Sequence, residues 1–145
     1  MDDLKGEKMF DTEEFERWMS QAEYTLESAR SDLLSGFYSW ACFKAQQAAE
    51  YALKALLYGR GIMVYGHSLK HLFDVLSKED PDIDVPEEMF RIARLLDRHY
   101  IPPRYPDAYI EGAPYEYYGE TDAEEAIKAA ERVLDFIRGV VDGLR

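Results

Sequence analysis

Tyr38-Ser-Trp-Ala-Cys-Phe-Lys-Ala-Gln-Gln-Ala-Ala-Glu-Tyr-Ala-Leu-Lys-Ala-Leu-Leu-Tyr58 is bounded by Gly36 on one side and by Gly59-Arg-Gly61 on the other. Within it Ala41, Ala45, Ala48, Ala49, Ala52, Leu53, Leu56 and Leu57 recur at helical spacing, the i, i+3, i+4, i+7 pattern of one buried face. An alanine-rich seam lets neighbouring helices approach toward the short end of the usual ~8–10 Å interaxial range. The stretch reads as the central helix of a bundle. Lys44, Gln47 and Lys54 form a polar stripe opposite the seam, for which solvent exposure is the default and an interface the second reading.

The same periodicity recurs on both sides. After Asp11, which can cap with Glu14, apolar residues fall at Phe15, Trp18, Met19, Ala22, Leu26, Ala29 and Leu33, and Ser35-Gly36 ends that helix. Ser68 can cap a short helix with Leu69, Leu72, Phe73 and Leu76 inward. Asp84-Val-Pro-Glu87 signals a fourth helix that continues through Met89, Phe90, Ala93 and Leu96 to Tyr100, and Thr121-Asp-Ala-Glu124 starts a fifth that buries Ile127, Ala130, Val133, Leu134, Ile137 and Val141. No segment alternates like a half-buried strand. The expected fold is all-α: an up-and-down bundle of four to five helices, forming one domain over 1–145. Ile101 to Glu120 has no helical period but holds four prolines and five tyrosines. That much aromatic surface normally finds something to cover, so a long ordered loop is expected between the last two helices.

Composition narrows the function. The single cysteine, Cys42, lies among apolar neighbours and reads as a buried structural thiol. No apolar run approaches the ~18 residues that span a bilayer, and Met1 to Lys8 has no signal-peptide core; a cytoplasmic protein with no membrane role is expected. A formal charge of −12 argues against a generic nucleic-acid coat, so any phosphate site must be a local basic patch. Arg91, Arg94, Arg98 and Arg104 lie within fourteen residues that hold one acid, Asp97. They suit phosphate oxygens, unless they are a solvated helix face with Glu87 pairing to Arg91.

Arg94 and His99 supply a cation and a near-neutral base, the minimum for metal-free RNA cleavage. Five residues along a helix turn their side chains about 140° apart, so they converge only if the helix frays at Tyr100 or a second subunit completes the site. His67 and His71 share a helical spacing but no third ligand is evident, and neither a metal nor any other cofactor is expected.

Three blocks together resemble the prokaryotic HEPN domains: Tyr38 to Leu57, Gly66-His-Ser-Leu69, and His99-Tyr-Ile-Pro-Pro-Arg-Tyr-Pro-Asp107. The resemblance implies a helical bundle similar to the helical domain of kanamycin nucleotidyltransferase, a homodimer, and a nucleotidyltransferase-fold partner in a two-component, toxin–antitoxin-like pair. It also implies nucleotide or RNA binding, for which Arg98, Arg104, Tyr105 and Asp107 are the candidate residues, Arg104 pairing with phosphate and Tyr105 stacking. Arg104 and Asp107 could instead form a salt bridge that pins the loop. Many HEPN proteins are ribonucleases with an arginine and a histidine separated by four to six residues. Arg94 and His99 match that spacing, although Leu95 stands where the active enzymes typically carry a polar residue. Ribonuclease activity is therefore the second reading and a nucleotide- or partner-binding module the first.

Overall fold

The computed structural model describes residues 10–144 and is all-α. Helix α1 spans Thr12–Ser35, α2 Tyr38–Gly59, α3 Leu69–Glu79, α4 Glu87–Asp97 and α5 Glu120–Leu144, with two short 3-10 turns, Pro106–Ala108 and Pro114–Tyr117, between α4 and α5. Met1 to Lys8 lies outside the described residues. Among those described, no helix is long and apolar enough to cross a membrane.

Local chemistry fixes the ends of the first two helices. Asp11 accepts the Glu14 N–H at 3.0 Å, closing one of the open donors of α1. Gly36, at φ +84°, ends it; the next N–H, of Phe37, returns to the Asp32 carbonyl at 2.8 Å, the closure that a left-handed glycine permits. A connection this short makes α1 and α2 antiparallel neighbours. At the far end of α2, Gly59 serves a different need: a Cβ there would lie 2.5 Å from the Phe10 ring, and its carbonyl accepts the Asp11 N–H at 2.8 Å. The two helices are thus registered at both ends.

Helix α2 packs on all four other helices and on the second 3-10 turn. Its alanines are fully buried, with Leu53, Leu56 and Leu57 beside them, as the seam requires. Cys42 is buried and free. Ion pairs Arg30–Glu131 and Arg138–Glu23 fasten α1 to α5, and Arg132–Glu88 fastens α5 to α4.

Three helix boundaries differ from the periodicity. Helix α4 starts at Glu87 with Pro86 at its cap and no side-chain cap bond, so Asp84 does not close a capping box. It stops at Asp97, leaving Tyr100 outside, as the backbone tightens to the His99 N–H→Leu96 carbonyl bond at 2.8 Å; the Asp97 carboxylate accepts from Leu69 N–H at 2.7 Å, Lys70 N–H at 3.1 Å and Ser68 Oγ at 3.0 Å, capping α3. Helix α5 begins at Glu120, and Asp122 reaches back to the Gly119 N–H at 2.8 Å, so Gly119 and not Thr121 is the cap.

Truncation of Leu53, buried on α2, is expected to cost about 2–5 kcal/mol through lost transfer energy and the cavity left behind. Leu34→Ala, at a position 88% exposed, should stay within about 0.5 kcal/mol. Urea unfolding of both variants checks the contrast.

Candidate functional site

Of the polar stripe of α2, Lys54 is buried, while Lys44 and Gln47 are half-buried. Glu50 and Lys54 are buried, only 3% and 8% exposed, and Gln46 is fully enclosed. Lys54 Nζ donates to Glu50 Oε2 at 2.9 Å, Gln47 Nε2 donates to Oε1 at 3.3 Å, and Gln46 Nε2 donates to the His67 carbonyl at 2.9 Å. His67 Nδ1 lies 3.0 Å from Glu50 Oε2. A carboxylate can only accept, so Nδ1 carries the proton and Nε2 is left open on a ring that is half exposed. Lys44, on the same stripe, is tied to Asp32 at 2.8 Å and Ser28 at 2.9 Å. Full exposure is lost because Glu50 of the same helix draws in Lys54 and Gln47, and Asp32 and Ser28 of α1 hold Lys44. A charge so enclosed is costly unless paired, and here it is.

Above this network stands a stack. The His67 ring lies parallel to Tyr100, 4.6 Å between centres, and the Arg104 guanidinium sits 4.6 Å from the same Tyr100 centre. Arg104 also covers Phe43 of α2 at 4.3 Å and Tyr105 at 4.9 Å. Its Nε donates to the Tyr100 carbonyl at 2.8 Å and Nη1 to the Tyr105 hydroxyl at 3.3 Å. Nη2 has no acceptor among the described residues. His67, Ser68, Asp97 and Tyr100 line a depression of about 160 Å³ beside the stack.

Arg104 and Tyr105, both expected in the site, are therefore in contact. Asp107 is exposed in the first 3-10 turn and no ion pair joins it to Arg104. The anticipated salt bridge is replaced by the aromatic enclosure, which takes hold of the guanidinium from two elements at once. Arg98 is exposed just past the end of α4. Arg91 pairs with Glu88 at 3.9 Å, not with Glu87, which instead faces Arg94 at 3.8 Å.

Arg94 and His99 are not brought together in one protomer. Arg94 is exposed beside Glu87, whereas His99 packs edge-on against Tyr118 with its Nδ1 buried and unpartnered. Burial holds its pKa below the ordinary histidine value, opposed by Asp122 and reinforced by Arg98. Burial likewise pushes the Cys42 thiol up to about 12 and the Tyr118 hydroxyl higher than normal, so neither is a nucleophile at neutral pH. The loop is ordered by its own rings: Tyr109 stacks on Tyr117 at 4.1 Å, and Tyr117 donates to the Glu111 carbonyl at 2.5 Å. Among the described residues no three metal-ligating side chains converge.

Glu50, Gln46 and Phe43 are site residues that the sequence did not single out, and Lys54, His67 and Tyr100 were read in other roles. Positions 46, 50 and 54 recur every four residues in an alanine-rich helix, and that period was the available signal.

The sequence matches the family described as the HEPN domain over residues 15–140. "Putative toxin MJ1304" of Methanocaldococcus jannaschii is 32% identical over 127 residues, covering 83% of this chain and 84% of that protein. TT1696 from Thermus thermophilus superposes with a TM-score of 0.83 at 43% identity, covering 86% of this chain and 96% of that one. ST0689, described as an archaeal HEPN homologue, gives 0.74 at 45% identity, with 88% and 97% covered.

Replacing Glu50 alone by leucine leaves the Lys54 ammonium buried without its partner, and is expected to cost about 3–5 kcal/mol in urea unfolding; Glu50→Leu with Lys54→Met should recover most of that loss. A second expectation concerns pH. A histidine held neutral in the fold binds its proton more readily when unfolded, so its contribution is intact above the unfolded value of about 6.5 and is lost as pH falls below it. Melting followed from pH 7.5 downward should fall less steeply in His99→Gln than in the wild type.

Proposed function

The chain belongs to the HEPN domain family, and we propose that it is the nucleotide- or partner-binding member of a toxin–antitoxin-like pair. Similarity to a protein named as a toxin supports the pairing. The partner is a nucleotidyltransferase-fold protein, and the chain works as a homodimer in the cytoplasm.

One observation carries the nucleotide half. Of the nine arginines in the described residues, seven pair with carboxylates: Arg17, Arg30, Arg60, Arg91, Arg94, Arg132 and Arg138. Arg98 and Arg104 do not, although the chain carries twenty-nine acids. Both follow the end of α4, and Arg104 is held by rings that leave an Nη2 edge open. An oriented, unneutralised guanidinium is a phosphate contact in waiting. Tyr105, half exposed beside it, offers a stacking face for a base, and Asp107 lies near enough in sequence to border the ligand.

ATP, GTP and a short single-stranded RNA, each titrated against the wild type, are expected to shift amide resonances around residues 98–107. Arg104→Ala should weaken the best of them by about tenfold to a hundredfold, as loss of a charge-assisted hydrogen bond predicts, and Arg104→Lys should recover only part. If none of the three moves these resonances, the nucleotide half of the proposal fails.

A further inference from the structure

A second exposed feature lies beside this site and is not used by it. At the turn from α1 into α2, Gly36, Phe37, Tyr38, Ser39 and Trp40 form with Tyr115 a groove of about 380 Å³. Phe37, Trp40 and Tyr115 are 58%, 46% and 72% exposed. Tyr109 and Tyr117 of the same loop stack on each other, whereas Phe37 and Tyr115 have no ring partner among the described residues. The groove is built on firm parts. Pro114, adjacent to Tyr115, is buried, the second 3-10 turn packs on α2, and Trp40 meets Phe43 edge-on at 6.3 Å.

The chain segment that supplies Tyr115 is of one sign. Residues 105–125, which run into the first turns of α5, contain seven acids and no lysine, arginine or histidine, and Glu116 directly follows Tyr115. Lys44, one turn beyond Trp40 on α2, is neutralised by Asp32. Exposed tryptophan, tyrosine and phenylalanine in a cleft, next to a charged segment, is the anatomy of a protein-docking centre. The sign of that segment selects the occupant. A second copy would bring the same seven acids against these, which like-charge repulsion opposes.

We propose that this groove docks a segment of a different protein: an apolar side chain that fills the space between Trp40 and Tyr115, flanked by lysine or arginine facing the acids of residues 105–125. This rests on the partner half of the function proposed above and is independent of the nucleotide half. Because Phe43 touches both Trp40 and Arg104, a docked partner would border the phosphate contact.

Selection of a phage-displayed random peptide library on the immobilised full chain tests it. The expected consensus is an apolar residue with at least two flanking lysines or arginines. A synthetic consensus peptide, followed by fluorescence anisotropy, should bind Tyr115→Ala and Phe37→Ala about tenfold or more weakly than the wild type, and its binding to the wild type should weaken as salt is raised. Tyr24→Ala, an exposed aromatic on α1, should bind normally, and Tyr115→Ala should keep the wild-type response to ATP. Peptides without basic residues, or binding unchanged by both aromatic truncations, would overturn the proposal. So would sedimentation showing a wild-type dimer that Tyr115→Asp converts to monomer, since the second copy would then be the occupant.

Discussion

Everything in this molecule depends on the enclosure of α2. A helix in contact with four others has little surface left for water, so most of its side chains must be satisfied by packing or by pairing. On one face the answer is small side chains, whose lack of bulk brings neighbouring backbones close. On the other it is a carboxylate and an ammonium four residues apart, supported by two glutamines and an imidazole. Enclosed ion pairs contribute little net stability compared with apolar residues of the same volume. What this one does is hold His67 in one orientation, and His67 in turn supports Tyr100.

That chain of support explains why the segment after α4 can be irregular and still well placed. The turn at residues 98–104 is fixed by ring faces stacked in series from the α2–α3 connection to Phe43 on α2. The guanidinium in this stack is a structural element and a half-buried cation at once. Its ring contacts fix its direction, while it has no acid partner among the described residues. The tyrosine-rich loop continues the same solution by stacking on itself.

The architecture was legible because it rests on periodicity: five helices, the alanine seam, the buried thiol and the ordered loop all follow from spacing. What was not legible depended on partners distant in sequence. Lys54 reads as a surface lysine until His67 and Glu50 are placed beside it. Asp97 reads as the acid within an arginine-rich helix, yet its oxygens belong to another helix. Arg104 and Asp107 suggested a local salt bridge because they are three residues apart, and the competing rings at positions 43 and 100 are supplied by the fold. The boundaries of α4 and α5 shifted for a smaller reason, two competing caps within a few residues of each other.

Asp97 has one more consequence, for the order in which the structure forms. A helix of eleven residues such as α3 is too short to persist alone in water. Its first N–H groups are closed by a carboxylate twenty-eight residues downstream, so its nucleus is incomplete until the end of α4 has arrived. The two short helices therefore assemble and open as one cooperative unit, whereas α1 and α2, joined by a local turn, need nothing from the rest of the chain to begin.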